Sequence, residues 1–291
     1  MEQNIDLSKY SKFGVGGKAE YLFTPNTIDE LVDFIKNKKY TNPINIVGVG
    51  SNILFKDDLI KGTVISTKNL NKVELKDDFI CAECGVLNSK LFNFAKNNNF
   101  GGFEFLGCIP GTIGGSCRMN AGCYGREMKD VVFDVEVLDF DGNVKVYNLE
   151  QCGFGYRTSL LENNLIVLSV RFKTETFEDK TIIEENFKKM IEEKMKSQPI
   201  NERTCGSTFK NLPNMPAWKV IKELGLQDVD FNGVKFSEKH ANFLVNVSSN
   251  SANDIINLIN LTKNRAKKEL NIDLELEIQI IENIKGTTDN E

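Results

Sequence analysis

Hydrophobic positions along the first half of the chain change period repeatedly, and each change marks an element. Leu31, Phe34 and Ile35 fall on one helical face behind Thr27 and Glu30, which stand at capping-box spacing. A helix is therefore predicted to open at Pro25–Glu30. The apolar runs Ile44–Val49, Val64–Ile65 and Phe79–Cys84 predict strands, the last followed by a helix carrying Leu91, Phe94 and Ala95. VVFDVEVLDF and VKVYNL flank Asp141-Gly142-Asn143, a hairpin signal, and Leu165–Phe172 reads as a further strand. Strands mixed with a few helices and many turns make an α+β pattern.

The pattern shifts near residue 178. EDKTIIEENFKKMIEEKMKSQP is charged and helical, with Phe187, Met190 and Ile191 as its apolar stripe. Such a helix either bridges domains or lies solvated on a surface. Residues 200–285 then form a second αβ unit: a helix over Ala217–Leu224 stopped by Gly225, a strand over Ala241–Asn246 and an amphipathic helix over Ser251–Leu270. Leu274, Leu276, Ile278 and Ile280 alternate with Glu275, Glu277 and Gln279, a half-buried strand whose period turns Glu277 to solvent. The expected organisation is a domain over 1–178 (possible lobes splitting near residue 70), a connecting helix over 179–199, a second domain over 200–285 and a polar tail over 286–291.

Composition narrows the function. With 41% hydrophobic and 26% charged residues the chain reads as ordinary globular protein, and a net charge of −5 argues against a general nucleic-acid binder. No apolar run is long enough to span a membrane, and MEQNIDLSKY has no basic-then-apolar pattern, so no membrane insertion, no signal peptide and a cytoplasmic location are expected. Seven scattered cysteines are expected to be free thiols. Cys81 and Cys84 form a CxxC, but at the end of a strand with one histidine in the whole chain, so no metal is expected.

Candidate chemistry gathers in five places. Val47-Gly48-Val49-Gly50-Ser51-Asn52 ends an apolar strand and could crowd backbone amides against a pyrophosphate, although a plain turn fits equally. Gly111-Thr112-Ile113-Gly114-Gly115-Ser116 offers amides and two hydroxyls, and Asn120-Ala121-Gly122 could approach a flat ring; a packed glycine-lined bend is the alternative. Two such stretches in one domain favour a nucleotide cofactor. Gly155-Tyr156-Arg157 and Cys205-Gly206-Ser207-Thr208-Phe209-Lys210-Asn211 are the third and fourth places, and Glu277 is the fifth. His240, the lone histidine, reads by default as a hydrogen-bonded structural residue.

The order of these motifs is more specific than any one of them. FGVGGKAEYLF, VGVGSNILF, GFEFLGCIPGTIGGSCRMNAGCYG, FGYRTS, CGSTFKN, SEKHANFLVN and LELEIQII, together spanning residues 8 to 282, resemble the UDP-N-acetylenolpyruvoylglucosamine reductase family, in its shorter subclass without a tyrosine-bearing loop. The resemblance implies an FAD-binding domain of the vanillyl-alcohol-oxidase (PCMH) type followed by a smaller αβ substrate-binding domain. It implies a flavoenzyme of bacterial peptidoglycan synthesis, expected as a monomer. NADPH, the co-substrate, reduces FAD; hydride then passes to C3 of the enolpyruvyl ether of the UDP-sugar and a proton to C2.

It also implies roles for residues. Val47, Gly48, Gly50, Ser51, Asn52, Gly111, Thr112, Gly114, Gly115, Ser116, Asn120, Ala121 and Gly122 would hold FAD. Arg157 and Glu277 would meet the negative charge developing beside the substrate carboxylate, and Ser207 would be the proton donor. Tyr156, Lys210, Asn211 and His240 would bind the anionic sugar nucleotide. A bare carboxylate would repel an enolate, so the surroundings of Glu277 are expected to raise its pKa. Gly14, Gly107-Cys108, Leu212 and Cys205 depart from the family's usual residues. The alternatives are another oxidoreductase on the same flavin fold and a protein that binds a nucleotide without turnover.

Overall fold

The structure is a computed structural model that describes residues 1–283 except 163, 175, 176 and 228; the polar tail expected over 286–291 lies outside the described residues. Thr27 caps helix Ile28–Lys36 by accepting the Glu30 N–H at 3.1 Å, whereas the Glu30 carboxylate reaches the Asn26 N–H rather than that of Thr27. Half of the capping box therefore forms. The helix buries Leu31, Phe34 and Ile35, and Phe34 stacks on Phe23 at 3.8 Å.

Two sheets follow each other in sequence. The first orders its strands Glu2–Asp6, Lys18–Phe23, Ile60–Ser66 and Ile44–Val47, antiparallel at the first pair and parallel at the other two. The second is antiparallel throughout and runs Val144–Asn148, Val132–Asp139, Leu165–Phe172, Phe79–Glu83 and Val73–Lys76. Alternating apolar side chains of the second sheet, such as Val135, Val137, Leu168 and Val170, share one core with Leu91, Phe92 and Leu106 from short helices beside it. Cys81 lies within a strand and Cys84 just beyond it, where burial pushes the Cys84 thiol up to about 12.

The charged helix spans Lys180–Ser197 and lies on the first unit's surface. Phe187 packs on Phe92 at 4.4 Å and Lys96 pairs with Glu184 at 3.1 Å.

The second unit consists of helix Ala217–Glu223, the strand pair Val234–Phe236 and Leu244–Asn246, and helix Ala252–Leu270. Its core draws Phe13, Val15 and Leu54 from the N-terminal part of the chain. Two further ties join the units. Asp57 accepts from Ser251 Oγ and from the Ala252 and Asn253 N–H groups, capping helix Ala252–Leu270 from outside. The chain's last described strand, Gln279–Ile281, pairs in parallel with Ile53–Phe55. The alternation over 274–281 thus corrects to a strand of three residues, with residues 275–277 against 208–210 instead: Lys210 N–H donates to Glu275 O and Glu277 N–H to Thr208 O.

Candidate active site

Between the units lies a cleft of about 940 Å³ with the two glycine-rich stretches on its wall. Strand Ile44–Val47 runs into Gly48-Val49-Gly50, which turns sharply at Gly50, where φ is +65° and a Cβ would stand 1.9 Å from the Tyr10 carbonyl oxygen. At Gly48 a Cβ would meet Thr112 Oγ1 at 2.4 Å, so the two stretches touch. Glycine there lets one loop lie against the other; any side chain would wedge them apart. Thr112 caps helix Ile113–Arg118.

The cleft wall also carries unfinished polar contacts. Arg118 Nε and Thr204 Oγ1 are buried without hydrogen-bond partners, and both residues line the cleft. Buried polar groups are normally paired, so these two mark where a bound molecule's polar atoms belong. A bare-backbone cradle with orphaned donors fits a dinucleotide cofactor.

At one end of the cleft Arg157, Glu277 and Ser207 come together on the wall. Arg157 sits in a turn closed by Gly155 N–H to Thr158 O, with φ of +53°, a conformation that costs a non-glycine residue free energy and collects at functional sites. Its Nε donates to Glu277 Oε1 at 3.1 Å and its Nη2 to the Gly122 carbonyl at 2.8 Å. Glu277 is held by its backbone to Thr208, the residue after Ser207, so the carboxyl and the hydroxyl sit on adjoining segments. The carboxyl is largely turned away from water, correcting the solvent-facing orientation expected from periodicity: Glu277 and Gln279 line the cleft, while Glu275 stays on the surface. Burial raises the Glu277 pKa, and the Arg157 guanidinium only partly opposes it.

Other expected site residues divide by location. Gly48, Gly50, Ser51, Asn52, Gly111, Thr112, Gly114, Gly115, Ser116, Ala121 and Gly122 line the cleft. Two of them already have partners: Asn52 Nδ2 donates to Glu277 O at 2.9 Å, and Ser116 Oγ exchanges hydrogen bonds with the Asn88 amide. Val47 and Asn120 are not on the wall. Val47 is buried beneath the first sheet, and Asn120 pins Gly155 O, Glu127 and the Lys129 N–H. Tyr156 lines a smaller cleft beside Arg157 and accepts the Asn211 N–H, Lys210 pairs with Glu275 at 2.6 Å, and Asn211 Oδ1 accepts the Ala217 N–H. His240 Nδ1 accepts from the Asn242 N–H, and burial lowers its pKa, so the ring is neutral near pH 7.

Comparison with known proteins gives these residues a context. Residues 198–281 match the family described as UDP-N-acetylenolpyruvoylglucosamine reductase, C-terminal domain, and residues 19–148 match the FAD binding domain family. A UDP-N-acetylenolpyruvoylglucosamine reductase of Pelagibacter ubique is 39% identical over 96% of this chain and 93% of its own length. The chain belongs to the UDP-N-acetylenolpyruvoylglucosamine reductase family. A relative so named from Clostridium tetani is 37% identical over 97% of this chain and 92% of its own. The crystal structure of the Thermus caldophilus reductase superposes with a TM-score of 0.83 at 32% identity, covering 96% of this chain and 98% of that one.

Membership makes the chain an FAD oxidoreductase with an α+β fold, an FAD-binding domain followed by a smaller αβ domain. Among the described residues no helix is long and apolar enough to cross a membrane. Several residues on the reductase cleft escaped sequence reasoning, among them Lys12, Arg118, Lys194 and Thr204. No motif flags them; only Arg118 lay inside a singled-out stretch, and it stood there as an unassigned cation.

Proposed function

We propose that this chain uses NADPH to reduce the enolpyruvyl ether of UDP-N-acetylenolpyruvoylglucosamine to UDP-N-acetylmuramate, in the cytoplasm, for peptidoglycan synthesis. What carries the reading is the meeting of Arg157, Glu277 and Ser207 at one end of a cleft walled by glycine loops. Bound FAD supplies the two-electron relay between NADPH and C3 of the substrate. The backbone at Gly48, Gly50, Gly111 and Gly114 would hold it, with Arg118 and Thr204 offering their open polar atoms.

The residues divide the remaining work. Hydride arrival at C3 leaves an electron pair at C2, delocalised into the substrate carboxylate, and that charge needs donors already in place. Two nitrogens of Arg157 are engaged with Glu277 and Gly122, which fixes the guanidinium; Nη1, 3.9 Å from Glu127 Oε1, is the nitrogen left to meet the substrate carboxylate. Glu277 takes part as the acid. Oε1 accepts from Arg157, which leaves Oε2 as the oxygen that would carry a proton and offer it to the enolate. Ser207 Oγ gives its proton to C2 and is reprotonated from water, a transfer that requires a strongly basic carbanion within hydrogen-bond distance. Tyr156 from the first unit and Lys210 and Asn211 from the second, joined by the Asn211 N–H to Tyr156 Oη bond, would meet the nucleotide.

The test is turnover. With NADPH and the UDP-sugar, mass spectrometry should find a product heavier by two hydrogen atoms, and none without either. NADPH consumption independent of the sugar would reject the substrate assignment.

A further inference from the structure

Helix Lys180–Ser197 carries a group that the proposed reaction leaves unused. Of its charged side chains only Lys194 is buried, at 8% exposure, and it lines the cleft with Ile191 and Gln198 from adjacent turns. Its Nζ donates to the Cys108 carbonyl, in the glycine-rich wall. Among the described residues no carboxylate pairs with it; the titratable groups acting on it are the thiols of Cys123 and Cys108, and burial lowers its pKa. An ammonium has three N–H donors, and taking one out of water without a counter-charge costs several kcal/mol. A site of this kind is completed by an anion.

Neighbouring contacts locate it. Cys123 follows Gly122, whose carbonyl accepts from Arg157 Nη2 at 2.8 Å. Tyr124 Oη donates to the Met190 carbonyl at 2.8 Å, one turn before Lys194 on the same helix. The segment Gly122–Tyr124 is thus held by Arg157 from one side and by this helix from the other. Lys194 and Arg157 therefore belong to elements that hold the same short segment of the cleft wall.

We propose that the Lys194 ammonium faces the redox ring of bound FAD and stabilises its reduced, negatively charged form relative to the oxidised form. The proposal rests on the reading of the cleft as an FAD site. Hydride addition to the neutral ring brings two electrons and one proton, leaving one negative charge. A cation already buried without a partner meets that charge where little water screens it. The pyrophosphate is the other anion in FAD, but the segment Gly122–Tyr124, shared with Arg157, favours the ring end.

The experiment compares wild type, K194R, K194M and K194Q as holoenzymes, measuring the FAD midpoint potential by dye equilibration, FAD affinity by fluorescence and thermal melting. K194M and K194Q should bind oxidised FAD as wild type does and favour the reduced form about tenfold less, a midpoint potential lower by ~30 mV for a two-electron couple. K194R should keep the wild-type potential. An unchanged potential in either neutral variant that retains FAD overturns the proposal. So does equal weakening of both redox forms, which would assign Lys194 to the pyrophosphate. Should K194M fail to fold, K194Q, which can still donate to the Cys108 carbonyl, carries the comparison. A wild-type chain that takes up no FAD would reject the cofactor reading itself, before any variant is read.

Discussion

Arg157 Nε donates to Glu277 Oε1 at 3.1 Å across 120 positions of sequence, joining the two structural units at the reacting end of the cleft. The contact is half-built for ionisation: burial, the larger influence, raises the Glu277 pKa, while Arg157 and, less strongly, Lys210 lower it. A carboxyl poised this way can be an acid where an enolate forms.

Glu277→Ala should lower kcat by about 10²–10³, as loss of one preorganised donor does. The wild-type rate should fall as pH rises through the raised pKa of Glu277, and that limb should flatten in the variant. Stability carries the same sign. The folded pKa lies above the ordinary 4.5, so the native state binds this proton more tightly and stability declines as pH rises through the window above 4.5. Chemical denaturation against pH should show that slope in wild type and lose it in the variant. An unchanged rate and pH profile would remove Glu277 from the chemistry.

Ser207→Ala separates the two half-reactions. Anaerobic stopped-flow mixing with NADPH should bleach the flavin at the wild-type rate, while reoxidation by the UDP-sugar should slow by about 10²–10⁴, the range for a lost general acid. Equal slowing of both halves would assign Ser207 a structural part.

Gly48→Ala tests the contact between the glycine stretches. The new methyl would stand 2.4 Å from Thr112 Oγ1 and 3.0 Å from its Cγ2, so the loops must part. FAD affinity should fall tenfold or more by fluorescence titration, with a melting temperature lowered in the apoprotein as well. Unaltered affinity would mean the cradle tolerates a shift there.

Asp57→Ala removes the external cap of helix Ala252–Leu270, leaving the Ser251 hydroxyl and the Ala252 N–H short of an acceptor while the Asn253 N–H keeps Ser251 Oγ. About 1–2 kcal/mol of stability should be lost in urea unfolding, with oxidised FAD still bound. A neutral result would show that Ser251 alone caps the helix.

Elements built from local rules were legible in the chain. The Asp141-Gly142-Asn143 hairpin, helix Ile28–Lys36 and strand Leu165–Phe172 follow from turn residues and apolar period, and each stands in the structure at those positions. Facts depending on what covers a face were not. Alternation at Leu274, Leu276 and Ile278 identifies two faces of a segment without saying that Glu277 looks into a cleft. Lys194 reads like the other charged residues of its helix, and only the Cys108 carbonyl beside it sets it apart. GVGSN reads as a turn until Gly48 is seen against Thr112, a contact of distant segments. Asn120 and His240 have polar side chains suited to a ligand, and the sequence does not say that Asn120 already holds Gly155 O and Glu127 or that His240 Nδ1 accepts from the Asn242 N–H.

The most direct measurement is an anaerobic visible spectrum of the purified chain, taken alone, after NADPH and after UDP-N-acetylenolpyruvoylglucosamine. A yellow flavin that bleaches with NADPH and regains its colour with the sugar is the expected result, since it requires the cleft to pass electrons in both directions. Bleaching without recovery would contradict the substrate assignment. A protein that stays colourless after addition of FAD would contradict the reading of the glycine-walled cleft.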